Sequence, residues 1–106
     1  LADTVKLSDD GVTFQSIYDG NKIHWTPEEN MRIQELIGAD IAMQLDQCAP
    51  YPATREFVAR AVDYSSAWAR RCLAAHKRPD QTLFGIVQGG MHLDLRLESV
   101  RRLREI

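Results

Sequence analysis

The chain has 106 residues, the size of one small domain or of a piece of a larger one. A formal net charge of −2 and a pI near 5.9 exclude a global attraction for nucleic acid or an anionic membrane, so any RNA contact needs a local basic patch. No apolar run approaches a membrane span, no signal peptide is present, and the two cysteines form no metal-binding spacing, so a reducing cytoplasm is the expected compartment.

The chain opens Leu1-Ala2-Asp3 without a start Met and reads as an excerpt. Residues 5–25 read as a hairpin or meander. Asp9-Asp10-Gly11 and Asp19-Gly20-Asn21 are turn signals between short β-rich runs. Thr26-Pro27-Glu28-Glu29 opens a helix over 26–37. Thr26 is placed to cap, Pro27 suits the first helical position and Glu29 completes a capping box. Ile33, Leu36 and Ile37 are its expected apolar face, and Gly38 suits its C-terminal stop.

Residues 39–45 then form an apolar run, bounded by Gly38 on one side and by Pro50 and Pro52 on the other. Such a run reads as a buried strand of a parallel sheet. Thr54 caps a second helix over 54–77, where Phe57, Ala61, Tyr64 and Trp68 recur at helical steps beside Val58, Val62, Ala69 and Cys72. These aromatics read as core, and His76 as a favourable partner of the helix dipole. Pro79 forbids continuation.

A second buried strand spans 82–87 and ends in Gln88-Gly89-Gly90, a pattern that permits a tight turn or close backbone approach. The last segment, 93–106, places Leu93, Leu97, Val100 and Leu103 at helical spacing. Leu93, Leu95 and Leu97 also alternate. Arg96, Arg101, Arg102 and Arg104 make it basic, and its charges read first as a solvated face.

Two strand-like runs thus deliver one polar side chain each, Asp46 and Gln88, to the carboxyl ends of neighbouring strands, where α/β folds bind ligands. Spacing alone leaves a plainer reading open, with Asp46 capping a loop and Gln88 exposed in a turn. Helices alternating with buried strands imply right-handed crossovers and a parallel sheet. Two strands do not make a stable sheet with both faces covered. The expected fold is therefore α/β, a segment of a (β/α)8 TIM barrel with an antiparallel β-hairpin excursion at its start.

The run from Asp40 to Thr54, DIAMQLDQCAPYPAT, resembles the tRNA-guanine transglycosylase family, also called queuine tRNA-ribosyltransferase, in its bacterial form. So does Leu83 to Gly90, LFGIVQGG. Asp10 to Ser16, Asp19-Gly20 and Thr26-Pro27-Glu28 fit as well, in the same order. The resemblance implies a TIM barrel with a zinc-binding insertion. It implies a transferase that exchanges guanine at the wobble position of tRNA for a 7-deazaguanine precursor of queuosine, and that acts as a homodimer. Asp46 matches the aspartate that holds the guanine, Gln88 the glutamine that reads its carbonyl oxygen, and Cys48 a cysteine lining that pocket.

The residue types suit that task. Guanine presents a ring N–H and an amino group side by side, which one carboxylate can accept together. Its O6 accepts from a glutamine amide, whereas adenine places a donor there. By the resemblance, the nucleophilic aspartate and the Cys and His ligands for zinc lie beyond Ile106, and a further pocket aspartate before Leu1. Residues 1–106 are then half a substrate pocket with no complete catalytic apparatus. A non-catalytic tRNA-binding paralogue serving as a partner subunit is the alternative from another functional class.

Overall fold

A computed structural model describes residues 4–106; residues 1–3, which carry the reading of a missing start, lie outside the described residues. The architecture is mixed α/β. Strands β1 (Lys6–Ser8), β2 (Gly11–Gln15) and β3 (Lys22–Trp25) form an antiparallel meander in the order β1-β2-β3. Helix α1 (Pro27–Ile37), strand β4 (Ile41–Met43), helix α2 (Arg55–Ala75), strand β5 (Thr82–Phe84) and helix α3 (Leu93–Arg104) follow. β4 and β5 pair in parallel, with Ala42 opposite Leu83.

Helix α1 starts where the sequence places it. The Thr26 hydroxyl accepts the Glu29 N–H at 3.1 Å, and Pro27 needs no partner for the N–H it lacks. It ends on Gly38 at φ 76°, a left-handed conformation that costs glycine little. The expected apolar face differs. Leu36 and Ile37 are exposed, and Met31 is the buried anchor against Ala42 and Cys72. Helix α2 is capped by the Thr54 hydroxyl on the Phe57 N–H and buries Val58, Ala61, Val62, Trp68, Ala69 and Cys72. It also buries Ser65 and Ser66, which the hydrophobic periodicity passes over. It ends at Ala75 rather than 77. His76 closes it through its backbone N–H and sets its ring against the Gln81 amide.

Both parallel strands are shorter than the apolar runs that announce them. Pairing covers 41–43 instead of 39–45, and 82–84 instead of 82–87. At their carboxyl ends the cause is a side chain. The Gln44 N–H still donates to the Phe84 carbonyl at 3.2 Å, but the next rung, from the Ile86 N–H, goes to the Gln44 Oε1 at 2.9 Å. Other glutamines act in the same way. Gln34 accepts the Met43 N–H at 2.9 Å and donates to the Met43 carbonyl at 2.7 Å, covering one rung on the outer edge of β4. Buried Gln81 donates to the Gln34 and Ala39 carbonyls.

The meander is bound to α2 at one corner. The Trp68 indole N–H donates to the Asp9 carbonyl at 3.0 Å while its ring, fully buried, stacks on Tyr64 with centroids 5.3 Å apart. Arg71 donates to the Asp9 and Asp10 carbonyls and to the Asp10 and Glu28 carboxylates. The Asp9-Asp10 turn is exposed at its surface but is the docking point of the sheet. Trp68→Ala is expected to cost about 3–5 kcal/mol, as large-to-small core changes do. Hydrogen exchange in a full-length protein should show β1 and β2 amides losing protection before those of α1.

One face of the parallel pair is uncovered: Ile41 is 53%, Met43 39% and Phe84 48% exposed. Among the described residues each strand also has a side without a strand neighbour. Open edges beside apolar side chains invite pairing with another chain. Residues 1–106 prepared alone are therefore expected to self-associate in sedimentation and to melt without a sharp cooperative transition. A monomer with a sharp melt would show that the fold is self-sufficient.

Candidate functional site

Asp46 and Gln88 meet. Each lies beyond the carboxyl end of its strand, and the Gln88 Nε2 donates to the Asp46 Oδ2 at 2.6 Å. Gln88 is 8% exposed and Asp46 is half-buried. Burial raises the Asp46 pKa above the ordinary carboxylate value, against the opposing pull of the Gln88 amide and of its own backbone N–H. No cation balances it: among the described residues Asp46 takes part in no ion pair within 4 Å. A half-buried carboxylate facing only neutral donors is unusual chemistry for a structural position.

The frame behind the pair is polar and mostly buried. The Gln88 N–H donates to the Ser99 hydroxyl of α3 at 3.0 Å, and Ser99 is 1% exposed. The Gln47 N–H donates to the Ser65 hydroxyl of α2 at 2.9 Å. The Gln44 amide joins both sides of the pair. Gly89 sits at φ 131°, and a Cβ there would lie 2.5 Å from the Arg96 nitrogen. Its close approach is to the first turns of α3, which brings that helix against the Gln88 loop. Gln44, Ser65 and Ser99 carry no signal that the sequence reading used. The available signal was polarity inside an apolar pattern, one amide in a strand run and one serine on each helix face.

Cys48 is exposed, with its thiol toward the Ala49 carbonyl at 3.9 Å, two residues beyond Asp46. The chain continues through Pro50 and Tyr51, and these residues line an apolar cleft with Val58, Met91 and His92. Two of the four arginines in the basic run on α3 are neutralised within the fold. Arg101 pairs with Glu98 and Glu105, and Arg102 with Glu98 and Asp63; the two arginines hold the Glu98 carboxyl down at about 2. Among the described residues no group of three or more His, Cys, Asp or Glu side chains could hold a metal ion.

Comparison with known proteins bears on this geometry. The profile of the family described as Queuine tRNA-ribosyltransferase matches residues 1–106. A Queuine tRNA-ribosyltransferase of Nostoc sp. is 47% identical over 106 residues, covering 100% of this chain and 28% of that protein. Proteins with the same description from Cereibacter sphaeroides, 53% identical over 107 residues, and Pelotomaculum thermopropionicum, 50% identical over 101, align over 100% and 95% of this chain and 28% and 27% of their own lengths. The chain thus spans little more than a quarter of the curated relatives it matches.

The raised Asp46 pKa sets an expectation for stability. A carboxyl whose folded pKa lies above its unfolded value binds its proton more readily when folded, so its ionisation weakens the fold as pH rises through the folded pKa. Asp46→Asn removes that charge and keeps an acceptor for Gln88. In a full-length protein it should melt no lower than the parent at neutral pH, and its advantage should shrink as pH falls towards the ordinary carboxylate range. A large drop in melting temperature at neutral pH would show that Asp46 is instead a structural residue.

Proposed function

The chain belongs to the queuine tRNA-ribosyltransferase family, and we propose that a full-length protein carrying these residues exchanges the guanine at the tRNA wobble position for a 7-deazaguanine base. The observation that carries the reading is the Asp46–Gln88 pair, joined at 2.6 Å on the rim of two adjacent parallel strands. The carboxylate accepts the ring N–H and amino group of the base. The Gln88 amide nitrogen has two N–H bonds. One holds Asp46, and the other donates to O6. Both parts of the pair thus recognise the base without releasing each other. Pairing of this kind excludes adenine, because a mismatched base leaves buried polar groups without partners. A 7-deazaguanine keeps the same edge, so one pocket serves the leaving and the incoming base.

The wobble nucleotide must leave its stack to reach this rim. In this reading the exposed Cys48, two residues beyond Asp46, lines the pocket. In this reading β4 and β5 are two strands of a (β/α)8 barrel, and the uncovered Ile41, Met43 and Phe84 face its interior. In the same reading the aspartate that attacks the ribose and the zinc ligands belong to residues outside this chain, and the full-length protein acts as a homodimer in the cytoplasm on tRNA.

The test is steady-state incorporation of labelled guanine into tRNA, with tRNA binding measured separately. Asp46→Asn turns a donor towards the donors of the base and loses a hydrogen bond to a charged group, worth roughly 1.5–3 kcal/mol. Gln88→Ala removes a neutral donor worth about 1 kcal/mol. Asp46→Asn is expected to impair exchange more than Gln88→Ala, with tRNA affinity nearly unchanged in both, since phosphate contacts dominate that term. Near-normal exchange in Asp46→Asn would overturn the pocket assignment.

A further inference from the structure

Resting on the base-pocket reading above, we propose that Gln44 is a positioning residue that sets the width of the pocket, acting as a spacer between the strand ends that carry Asp46 and Gln88. Parallel ladders run as evenly spaced rungs. Here the rungs run from the Thr82 N–H to the Asp40 carbonyl and from the Gln44 N–H to the Phe84 carbonyl. The next should run from the Ile86 N–H to the Gln44 carbonyl. The Gln44 side chain takes that bond instead, through Oε1 at 2.9 Å. A side chain stands where a main-chain oxygen would, so the two chains part at this point.

The rest of the amide fixes how far they part. Its nitrogen donates to the Leu45 carbonyl at 2.9 Å and to the Ser65 carbonyl of α2 at 2.8 Å. Gln44 is 4% exposed and every polar atom of its amide is used. Ile86 lies two residues before Gln88, and Gln44 two residues before Asp46. One carboxamide therefore references both pocket residues to the same point on α2. Gly85 supports this, since a Cβ there would meet the Leu103 side chain at 3.3 Å and the Gln44 Oε1 at 3.5 Å. Ser65 also receives the Gln47 N–H, which holds the Asp46 loop from its other side.

The consequence is selective. Without the amide, the Ile86 N–H is free to close onto the Gln44 carbonyl, and the strand ends draw together. Asp46 and Gln88 keep their chemistry and lose their spacing, so contact with the guanine amino group suffers while the tRNA surface is untouched. Gln44→Met keeps the volume and removes all three hydrogen bonds. Gln44→Glu keeps the acceptor for Ile86 and sets an oxygen against two carbonyls.

The experiment uses a full-length protein carrying these residues, assayed well below its melting temperature. Guanine and hypoxanthine, which lacks the amino group, are compared as free-base substrates. Gln44→Met and Gln44→Glu should each raise the KM for guanine by roughly tenfold, with kcat at saturating base and Kd for tRNA little changed. The kcat/KM preference for guanine over hypoxanthine should fall with it. A residue that merely keeps the protein folded would depress both bases alike. An unchanged preference, in a protein where Asp46→Asn does raise the guanine KM, overturns the role of Gln44 and leaves the pocket standing. If Asp46→Asn has no effect on the guanine KM, the pocket itself falls and Gln44 has nothing to position.

Discussion

Two parallel strands of three residues each have few main-chain bonds to hold them, and the rim that carries Asp46 and Gln88 begins where those bonds stop. The hydrogen bond between the Ile86 N–H and the Gln44 side chain is the constraint on which the rim depends. It ends the ladder without leaving the Ile86 donor unpaired, and it converts a sheet into an opening. An unmade bond at a buried site costs about 1–3 kcal/mol, which a strand end cannot bear without a substitute. The same solution recurs on the outer edge of β4, where Gln34 takes both polar groups of Met43, and below it, where Gln81 reaches two carbonyls between α1 and β4. Amide side chains here act as pieces of backbone.

The pocket pair differs from the molecule's other carboxylates. Asp10 and Glu28 share Arg71, Glu98 lies between Arg101 and Arg102, and Asp94 pairs with Arg55; each has its pKa lowered by hydrogen bonds from these cations, with His24 the largest influence on Asp10. Among the described carboxylic acids whose pKa is shifted, Asp46 alone is pushed up, by burial, with only neutral donors for company. A carboxylate held at a cost to stability is what the proposed base-binding role would require, an exchange of stability for function. The surface pairs, by contrast, are solvent-screened and contribute little individually. Their role at Arg71 is geometric, since that guanidinium and the Trp68 indole fasten the meander to α2.

Membership of the queuine tRNA-ribosyltransferase family and the placement of the pair support one another from separate directions. Identity near 50% along the whole chain makes the strand ends and their loops comparable with those of the relatives. The geometry adds what identity does not, a direct hydrogen bond between an aspartate and a glutamine 42 residues apart, which is what the proposed recognition of one base by both requires.

The sequence by itself determined the order of elements, because each signal is local. Thr26 with Pro27, Thr54, and Gly38 act within a turn of the chain, and apolar periodicity over α2 is a property of consecutive residues. It also placed Asp46 and Gln88 at the ends of apolar runs, and the wording around them pointed to the family. It could not set where the strands stop, because that depends on a Gln44 amide reaching a backbone donor 42 residues away. Nor could it choose Met31 over Leu36 and Ile37, since the direction in which α1 faces its neighbours is a matter of packing with β4 and α2. The Asp9-Asp10 turn reads as plain surface until Trp68 and Arg71, some 60 residues on, are brought against its carbonyls. Tertiary structure decided these points because each is a contact between distant segments, and periodicity along one segment carries no information about what the other will present to it.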